Sequence, residues 1–500
     1  MAFGTFPPQV RRRVVVTGLG AVTPLGVGAQ STWSALCEGK SATRALREAP
    51  FFFPSSIDSD RRLTTEEKGK RREELLAAMP CQVAAPVIGE LVSTTDLPNF
   101  APTSRETRAT RFALHAVREA LIHAKLIGTD AFCALTSGAV AHPNEAASDN
   151  SKRSSAPERR IASSCSAERI GVNLGVGMPS LVDVCDAAYN LFADPAQIRY
   201  NSISPLFVPK ILGNMLTGLV AMTYNVHGPV GSSVGACATG GHCIGESASW
   251  IQQGRADVVI CGSAEACITP VAIAGFSRMR ALCTKYNNRP QEASRPFDKD
   301  RAGFIMGEGA GVLVLESLEH ARERGAHIIA ELRGFGTSSD AHDVAAPRPD
   351  GYGAKLCLRS ALRDGGDVPA ACVAYVNAHA TGTIGDDLEL HAIEAVLNGN
   401  DGSDNKSAII RNSPLLVSSV KGGIGHLLGA AGSVEAAVAV MALHEQRAPP
   451  NVNLHVPSFP ASGAIQLVQG TTGCAFKGEA VVSTSFGFGG MSTALLFTQF

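Results

Sequence analysis

The run Val230, Gly231, Ser232, Ser233, Val234, Gly235, Ala236, Cys237, Ala238, Thr239, Gly240, Gly241 passes from small and β-branched residues into a helical stretch ending near Trp250 and Gln253. It reads as a strand, a sharp turn and a helix. A cysteine at that junction has its sulfur at a helix N-terminus, where unpaired amides and the positive end of the dipole favour thiolate. Flanking alanine and glycine leave room for a substrate, a layout parallel to the nucleophile elbow of a serine enzyme. Cys237 is one of thirteen cysteines. A cysteine taken alone is more often a small buried hydrophobe than a nucleophile, so the assignment needs partners. Two histidines supply them. His379 ends the strand-like run Tyr375, Val376, Asn377, Ala378, where side chains leaving the carboxyl end of a parallel strand reach a crevice. His426 lies in Lys421, Gly422, Gly423, Ile424, Gly425, His426, a glycine-rich turn feeding a small-residue helix. Singly, each reads first as a hydrogen-bonded structural histidine; with Cys237 they form a set suited to covalent catalysis by a thiol.

Two rival chemistries fit less well. Val14 to Val16 followed by Thr17, Gly18, Leu19, Gly20 suggests a dinucleotide fingerprint, but its third glycine would fall at Thr23, just before Pro24. Cys237 and Cys243, and again Cys261 and Cys267, are six apart, which on a helix puts the sulfurs on different faces and argues against zinc; we expect no metal.

The elements that must position these residues alternate. Ala256 to Cys261, Ile328 to Gly336 and Ala371 to Val376 read as strands, Ser317 to Arg324 and Gly432 to Gln446 as helices, and Ser31 as the cap of a helix running toward Cys37. The pattern argues an α/β chain with parallel sheets covered on both faces. A glycine-rich strand and turn occurs at Val14 to Gly20 and again at Val481 to Gly490, which fits two similar halves. We divide the chain into a leader or tail at 1–12, a first half at 13–316 and a second half at 317–500. Surface insertions are expected at about 58–90, around the charged run Thr64 to Ala78, and at about 140–166, which is rich in Ser, Asn, Lys and Arg.

Bulk properties bound the rest. A formal net charge of −1 provides no field to recruit nucleic acid or an anionic membrane. The charged fraction of 18% is low, and the mean hydropathy slightly positive, which suggests surface covered by another subunit. Scattered cysteines in so long a chain indicate reduced thiols and an intracellular setting. Ile211 to Gly245 has no Asp, Glu, Lys or Arg, yet Gly, Ser, Thr, Asn, His and Pro interrupt it, so it reads as core and not as a membrane span. Arg11, Arg12 and Arg13 read as the stub of a basic leader, favouring a mitochondrion or plastid over the cytoplasm.

Four runs carry a resemblance. A-C-A-T-G at Cys237, N-A-H-A-T-G-T at His379, K-G-G-I-G-H at His426 and S-F-G-F-G-G at Ser485 to Gly490 resemble, in this order, the signatures of chain-elongating β-ketoacyl-[acyl-carrier-protein] synthases, condensing enzymes of the thiolase superfamily. The likeness extends from about Arg13 to the end of the chain apart from the two insertions, and includes A-S-R-P-F-D-K-D-R-A-G-F-I-M-G-E-G-A-G at Ala293 to Gly311.

The resemblance implies a layered αβαβα fold and decarboxylative condensation on Cys237, with the amides of Cys237 and Phe488 as oxyanion hole. It makes His379 and His426 the donors to a malonyl thioester carbonyl, Lys421 a nearby positive charge and Glu435 a brace from the next helix. Thr381 and Thr383 would hold a phosphopantetheine arm, Phe488 would gate the acyl pocket and Met178 would line its far end. Arg105, Arg108, Arg111, Arg278, Arg280 and Lys285 fall in segments like the family's docking surface for acidic carrier protein. The implied assembly is a homodimer with no bound cofactor, the phosphopantetheine arriving on acyl carrier protein. Two departures stand out. The loop after Thr383 is one residue short, leaving open whether Asp386 or Asp387 takes the structural role beside Glu389, and Met491 and Ser492 replace Thr-Asn. A thiolase would want a second cysteine where Phe486 and Phe488 stand, an initiating synthase would lack His426, and an inactive chain-length partner would lack Cys237.

Overall fold

The computed structural model describes residues 11–49, 52–54, 57, 63–88, 106–127, 165–192, 198–399, 409–411, 413–459 and 463–500. Strand β1, Val14–Thr23, is buried along all ten residues, as its run of Val, Leu, Ala and Gly allows when both sheet faces are covered. The first half adds β2 (Ile170–Gly175), β3 (Val230–Gly231), β4 (Val258–Glu265) and β5 (Gly309–Ser317). The second half contains β6 (Ala330–Ser339), β7 (Val373–Asn377), β8 (Leu415–Ser418), β9 (Ile465–Leu467), β10 (Ala480–Gly487) and β11 (Met491–Thr498).

Strand order repeats between the halves. It runs β3-β2-β4-β5-β1 in the first and β8-β7-β10-β11-β6 in the second, with β9 added outside β8 and the two sets joined where β1 meets β6. The senses repeat as well: β1, β5 and β4 are mutually antiparallel neighbours while β4, β2 and β3 are parallel, and β6, β11, β10 and then β10, β7, β8 follow the same scheme. The sheets are therefore mixed, where all-parallel sheets were expected. Continuous apolar runs look alike in either sense, and the short turn between β10 and β11 permits only an antiparallel pair.

Helices complete five layers. α1 (Arg108–His123) and α2 (Met215–Tyr224) share a core with Ile260, Val312 and Val314 on one face of the first half. α3 (Thr239–Gln252) and α6 (Ala431–Glu445) share the central core with Val259, Leu313, Tyr375, Val481 and Leu495, the opposite faces of both halves. α4 (Tyr352–Asp364) and α5 (Gly385–Leu397) cover Val376, Val482 and Leu496. Alternate strand residues thus enter different cores, as the pleat requires. Every residue of α6 from Ala431 to Leu443 is buried, the mark of a helix enclosed on all sides. Its approach to α3 depends on Gly240, where a Cβ would lie 2.3 Å from the Ser433 nitrogen. The stretch Ile211 to Gly245 contributes α2, β3 and the start of α3, and no described helix is long and apolar enough to cross a membrane.

Arg11, Arg12 and Arg13 form ion pairs with Asp364, Asp257 and Glu331 at 2.8, 2.8 and 2.6 Å. Two local expectations change. The first insertion holds a helix, Thr65–Ala78, started by a capping box of Thr64 and Glu67, but Cys81, Val83, Ala84, Ala85 and Val87 after it belong to the core. Ser31 lies inside the helix Ala29–Cys37, whose first amide donates to Glu119 at 2.7 Å. The second insertion, up to residue 164, lies outside the described residues.

Candidate active site

The turn that carries Cys237 is locked from within. Ala236 adopts φ 48°, left-handed backbone that an alanine rarely holds, and the Thr239 hydroxyl accepts from the Gly235 amide at 2.9 Å while donating to the Ala236 carbonyl at 2.7 Å. The β10–β11 turn rests against it: a Cβ on Gly487 would lie 2.3 Å from the Gly235 carbonyl oxygen and 3.3 Å from the Cys237 nitrogen.

The repeated strand plan gathers the other groups. The Lys421–His426 segment follows β8 as the Cys237 turn follows β3, and His379 follows β7 as Met178 follows β2. His426 is fixed by its backbone, its amide donating to Ile305 at 2.7 Å and its carbonyl accepting from Gly307 at 2.8 Å. Its Nε2 stands 2.9 Å from the Cys237 sulfur. The His379 ring meets it edge to face at 5.2 Å, with Phe304 against His426 and Phe486 against His379. Lys421 Nζ is 3.5 Å from His379 Nδ1 and pairs with Glu435. Both are 1% exposed, so Lys421 is an interior charge and Glu435 its counterion.

Burial sets the protonation states. It pushes the Cys237 thiol up to about 12, Lys421 opposing it in part, so the resting sulfur is a thiol and not the thiolate expected from the helix end. Burial and the Lys421 charge hold both His379 and His426 well below the ordinary imidazole value, and both are neutral. Glu435 is pushed up by burial, while Lys421 pulls it back.

Asp386, and not Asp387, organises the shortened loop. It accepts from the amides of Thr381, Gly382, Thr383 and Phe297 at 2.9, 3.0, 3.2 and 2.9 Å. Asp387 instead binds Arg301 at 2.9 Å and Ser458 at 2.5 Å. Glu389 accepts from the amides of His379 and Ala380 at 2.8 and 2.7 Å. The Thr381 and Thr383 hydroxyls lie 3.0 Å apart. Both line a cavity of about 670 Å³ with Cys237, His379, His426 and a partly exposed Phe488. Met178 packs in the apolar cluster that includes Cys237 and lines a second cavity of about 220 Å³ with Leu216 and Ile268.

The basic residues separate. Arg278, Arg280 and Lys285 are exposed, and Arg280 lies at the rim of the larger cavity. Arg108 does not belong to such a surface. Its side chain is 19% exposed, its Nε donates to Glu308 at 3.0 Å and another nitrogen donates to the Val87 carbonyl at 3.0 Å, because the start of α1 packs inward. Arg111 is half-buried on the wall of the smaller cavity, and Arg105 lies outside the described residues.

Sequence reasoning passed over Glu265. This buried carboxyl at the end of β4 accepts from the amides of Gly177 and Gly429 at 3.0 and 3.1 Å, joining the Met178 turn to the loop after His426, and burial pushes it up to about 7. Its only signal was an acidic residue closing the apolar run V-V-I-C-G-S-A-E. Among the described residues, no three or more His, Cys, Asp or Glu gather as a metal-ligand set.

Comparison with known proteins adds a lineage to this geometry. Residues 11–161 and 153–321 match the family described as Beta-ketoacyl synthase, N-terminal domain, and 329–455 match Beta-ketoacyl synthase, C-terminal domain. The chain is 40% identical over 490 residues to the mitochondrial 3-oxoacyl-[acyl-carrier-protein] synthase of Arabidopsis thaliana, covering 98% of this chain and 93% of that one. It is 36% identical to 3-oxoacyl-[acyl-carrier-protein] synthase 2 of Rhizobium meliloti, covering 98% and 99%. A solved beta-ketoacyl synthase from Burkholderia phymatum superposes with a TM-score of 0.72 at 26% identity, covering 98% of this chain and all of that one.

Proposed function

The chain belongs to the beta-ketoacyl synthase family, and we propose that within this fold Cys237 is the residue that carries the growing acyl group. The enzyme is a β-ketoacyl-[acyl-carrier-protein] synthase, an acyltransferase of fatty acid synthesis that forms a carbon–carbon bond. The observation that supports our assignment of roles is the convergence of Cys237, His426, His379, Thr381 and Thr383 on one cavity.

In the first step the Cys237 sulfur attacks the acyl thioester as His426 Nε2 takes its proton. The tetrahedral oxyanion rests on the amides of Cys237 and Phe488. Collapse expels the phosphopantetheine thiolate, which recovers the proton, and the acyl group stays on sulfur. Malonyl thioester then enters along Thr381 and Thr383. Its carboxyl carbon–carbon bond breaks, carbon dioxide leaves, and the electron pair moves onto a thioester oxygen that accepts from neutral His379 and from His426, which has by then exchanged to the neutral tautomer with its proton on Nε2. The enolate carbon attacks the acyl-enzyme, the carbon–sulfur bond breaks, and the Cys237 sulfur leaves as a thiolate that takes up a proton from solvent. Lys421 keeps both imidazoles neutral donors, with Glu435 as its counterion. Asp386 and Glu389 hold the loop, Phe488 gates the cavity, and Met178 lines the far end of the acyl space.

The substrates arrive on acyl carrier protein, whose phosphopantetheine supplies the thiol, so the enzyme needs no organic cofactor of its own. An acidic carrier protein would meet Arg278, Arg280 and Lys285 near the cavity mouth. A homodimer is supported by exposed Phe192, Tyr200, Met222, Val230 and Val234, and by β3, which ends the sheet with an unpaired edge among the described residues. A mitochondrial setting is supported by the name of the Arabidopsis thaliana relative.

The test is the intact mass of the wild type and of Cys237→Ser after mixing with acyl-carrier protein but no malonyl donor. An acyl adduct on wild type alone, discharged to a β-ketoacyl product two carbons longer when malonyl-carrier protein is added, is expected. No adduct with any acyl length would overturn the assignment.

A further inference from the structure

Resting on the condensing reaction assigned above, we propose that Glu265 is a positioning residue that sets which acyl lengths Cys237 accepts, because its carboxyl latches together the two turns that part the smaller cavity from the larger. Among the described residues the two cavities share no lining: Cys237, Phe304 and Leu428 face the larger, and Met178, Cys267 and Ile268 face the smaller. These residues belong to, or pack against, one apolar cluster, which is therefore the partition between the cavities.

Glu265 closes β4 and is fully buried. Its Oε2 accepts both from the amide of Gly177, next to Met178, and from the amide of Gly429, next to Leu428. Its Oε1 accepts from the Cys267 thiol at 3.0 Å. No side chain could stand between the two turns. A Cβ on Gly177 would lie 2.5 Å from Oε2, and a Cβ on Gly429 would lie 2.4 Å from the Gly177 nitrogen. Leu428 is held at φ 50°, left-handed backbone that is costly for leucine. The Gly429 amide that follows it is fixed by Glu265, so the latch supports the backbone that turns Leu428 to the larger cavity. Glu308 also lines the smaller cavity and is neutralised by Arg108, whereas Glu265 forms no ion pair among the described residues. An interior carboxyl without a counterion is costly unless donors satisfy it, and here the two amides and the thiol do so.

His426 does not depend on this latch. Its own amide and carbonyl are fixed by Ile305 and Gly307. Removing the Glu265 carboxyl therefore frees the wall of Met178 and Leu428 and leaves His426 in place. An acyl chain longer than the space beside Cys237 must push Met178 aside to reach the smaller cavity, so a freed wall admits long chains more readily. The intact latch keeps the enzyme selective for shorter ones.

The test compares rates of Cys237 acylation from hexanoyl- and myristoyl-carrier protein, read by intact mass on the full-length enzyme, with carbon dioxide release from malonyl-carrier protein measured on the same variants. Glu265→Ala is expected to raise the ratio of myristoyl to hexanoyl acylation about tenfold and to leave carbon dioxide release within about twofold of wild type. Glu265→Asp, one methylene too short to reach both amides, should shift the ratio the same way and carries the test if Glu265→Ala does not fold. Glu265→Gln still presents one carbonyl oxygen to both amides and should keep the wild-type ratio. A wild-type ratio in Glu265→Asp, an equal loss at both acyl lengths and in carbon dioxide release, or a shifted ratio in Glu265→Gln would each overturn the proposal. Absence of any acyl adduct on the wild type would instead overturn the condensing assignment, so the two failures are distinct.

Discussion

His426 Nε2 stands 2.9 Å from the Cys237 sulfur across 189 residues of sequence. The contact follows from the repeated strand plan, which places the residue after β3 in one half against the loop after β8 in the other. With the thiol pushed up and the imidazole pushed down, it joins two neutral groups at rest. The proton has reason to move only as the sulfur bonds to an acyl carbon. A preformed thiolate–imidazolium pair would react with any electrophile, whereas this pair waits for the substrate.

The pH dependence of acylation tests that state. An imidazole with the ordinary value would gain a proton and lose its function as pH fell through about 6.5. His426 is held well below that value and remains neutral, so the acylation rate should be flat from about pH 8 down to about pH 6. The measurement is the rate of acyl-adduct formation by rapid-quench mass analysis. A fall centred near the ordinary imidazole value would show that His426 titrates normally.

His426→Ala separates the two chemical steps. It removes a donor to the thioester oxygen on which charge develops, so carbon dioxide release from malonyl-carrier protein should drop by about 10² to 10³. Acyl transfer to Cys237 loses only the proton acceptor and should fall much less. Measuring carbon dioxide and adduct on the same variant decides the point. Equal losses in both would end this division of labour.

The legible parts of the site were those whose local sequence forces a turn. Gly235 to Gly241 and Gly422 to Gly425 have little freedom to be anything but sharp junctions before helices, and so Cys237 and His426 could be placed from spacing and resemblance. Lys421 was not legible as an interior charge, since its partner Glu435 sits on α6 and a lysine in a glycine loop reads the same when exposed. Arg108 was misread for a similar reason: Glu308, which neutralises it, is 200 residues away. The sense of the strands failed differently, because V-V-I-C-G and G-V-L-V-L are equally apolar whichever way a neighbour runs.

The buried pair Lys421–Glu435 makes a prediction about stability. Lys421→Met strands a carboxyl in the interior, at a cost of about 3–5 kcal/mol, even though Glu435 can then take a proton. Adding Glu435→Gln to Lys421→Met should recover part of that loss. Urea unfolding of the two single variants and the double would measure the coupling. Strict additivity would mean that the two side chains do not act as a pair in the folded protein.

Arg108 and Arg280 should fail in opposite ways. Arg108→Ala leaves Glu308 uncompensated below the surface and should lower stability by about 3–5 kcal/mol, with no change in the salt dependence of KM for carrier-bound substrate. Arg280 is exposed at the cavity rim, so Arg280→Ala should leave stability within about 0.5 kcal/mol of wild type. It should raise KM for acyl-carrier protein severalfold at low salt, the difference fading at high salt, while KM for a free pantetheine thioester stays unchanged. The comparison with the free thioester separates lost docking from damage to the cavity. A salt-dependent KM defect in Arg108→Ala at unaltered stability would return the start of α1 to the docking face and remove the structural role of its ion pair.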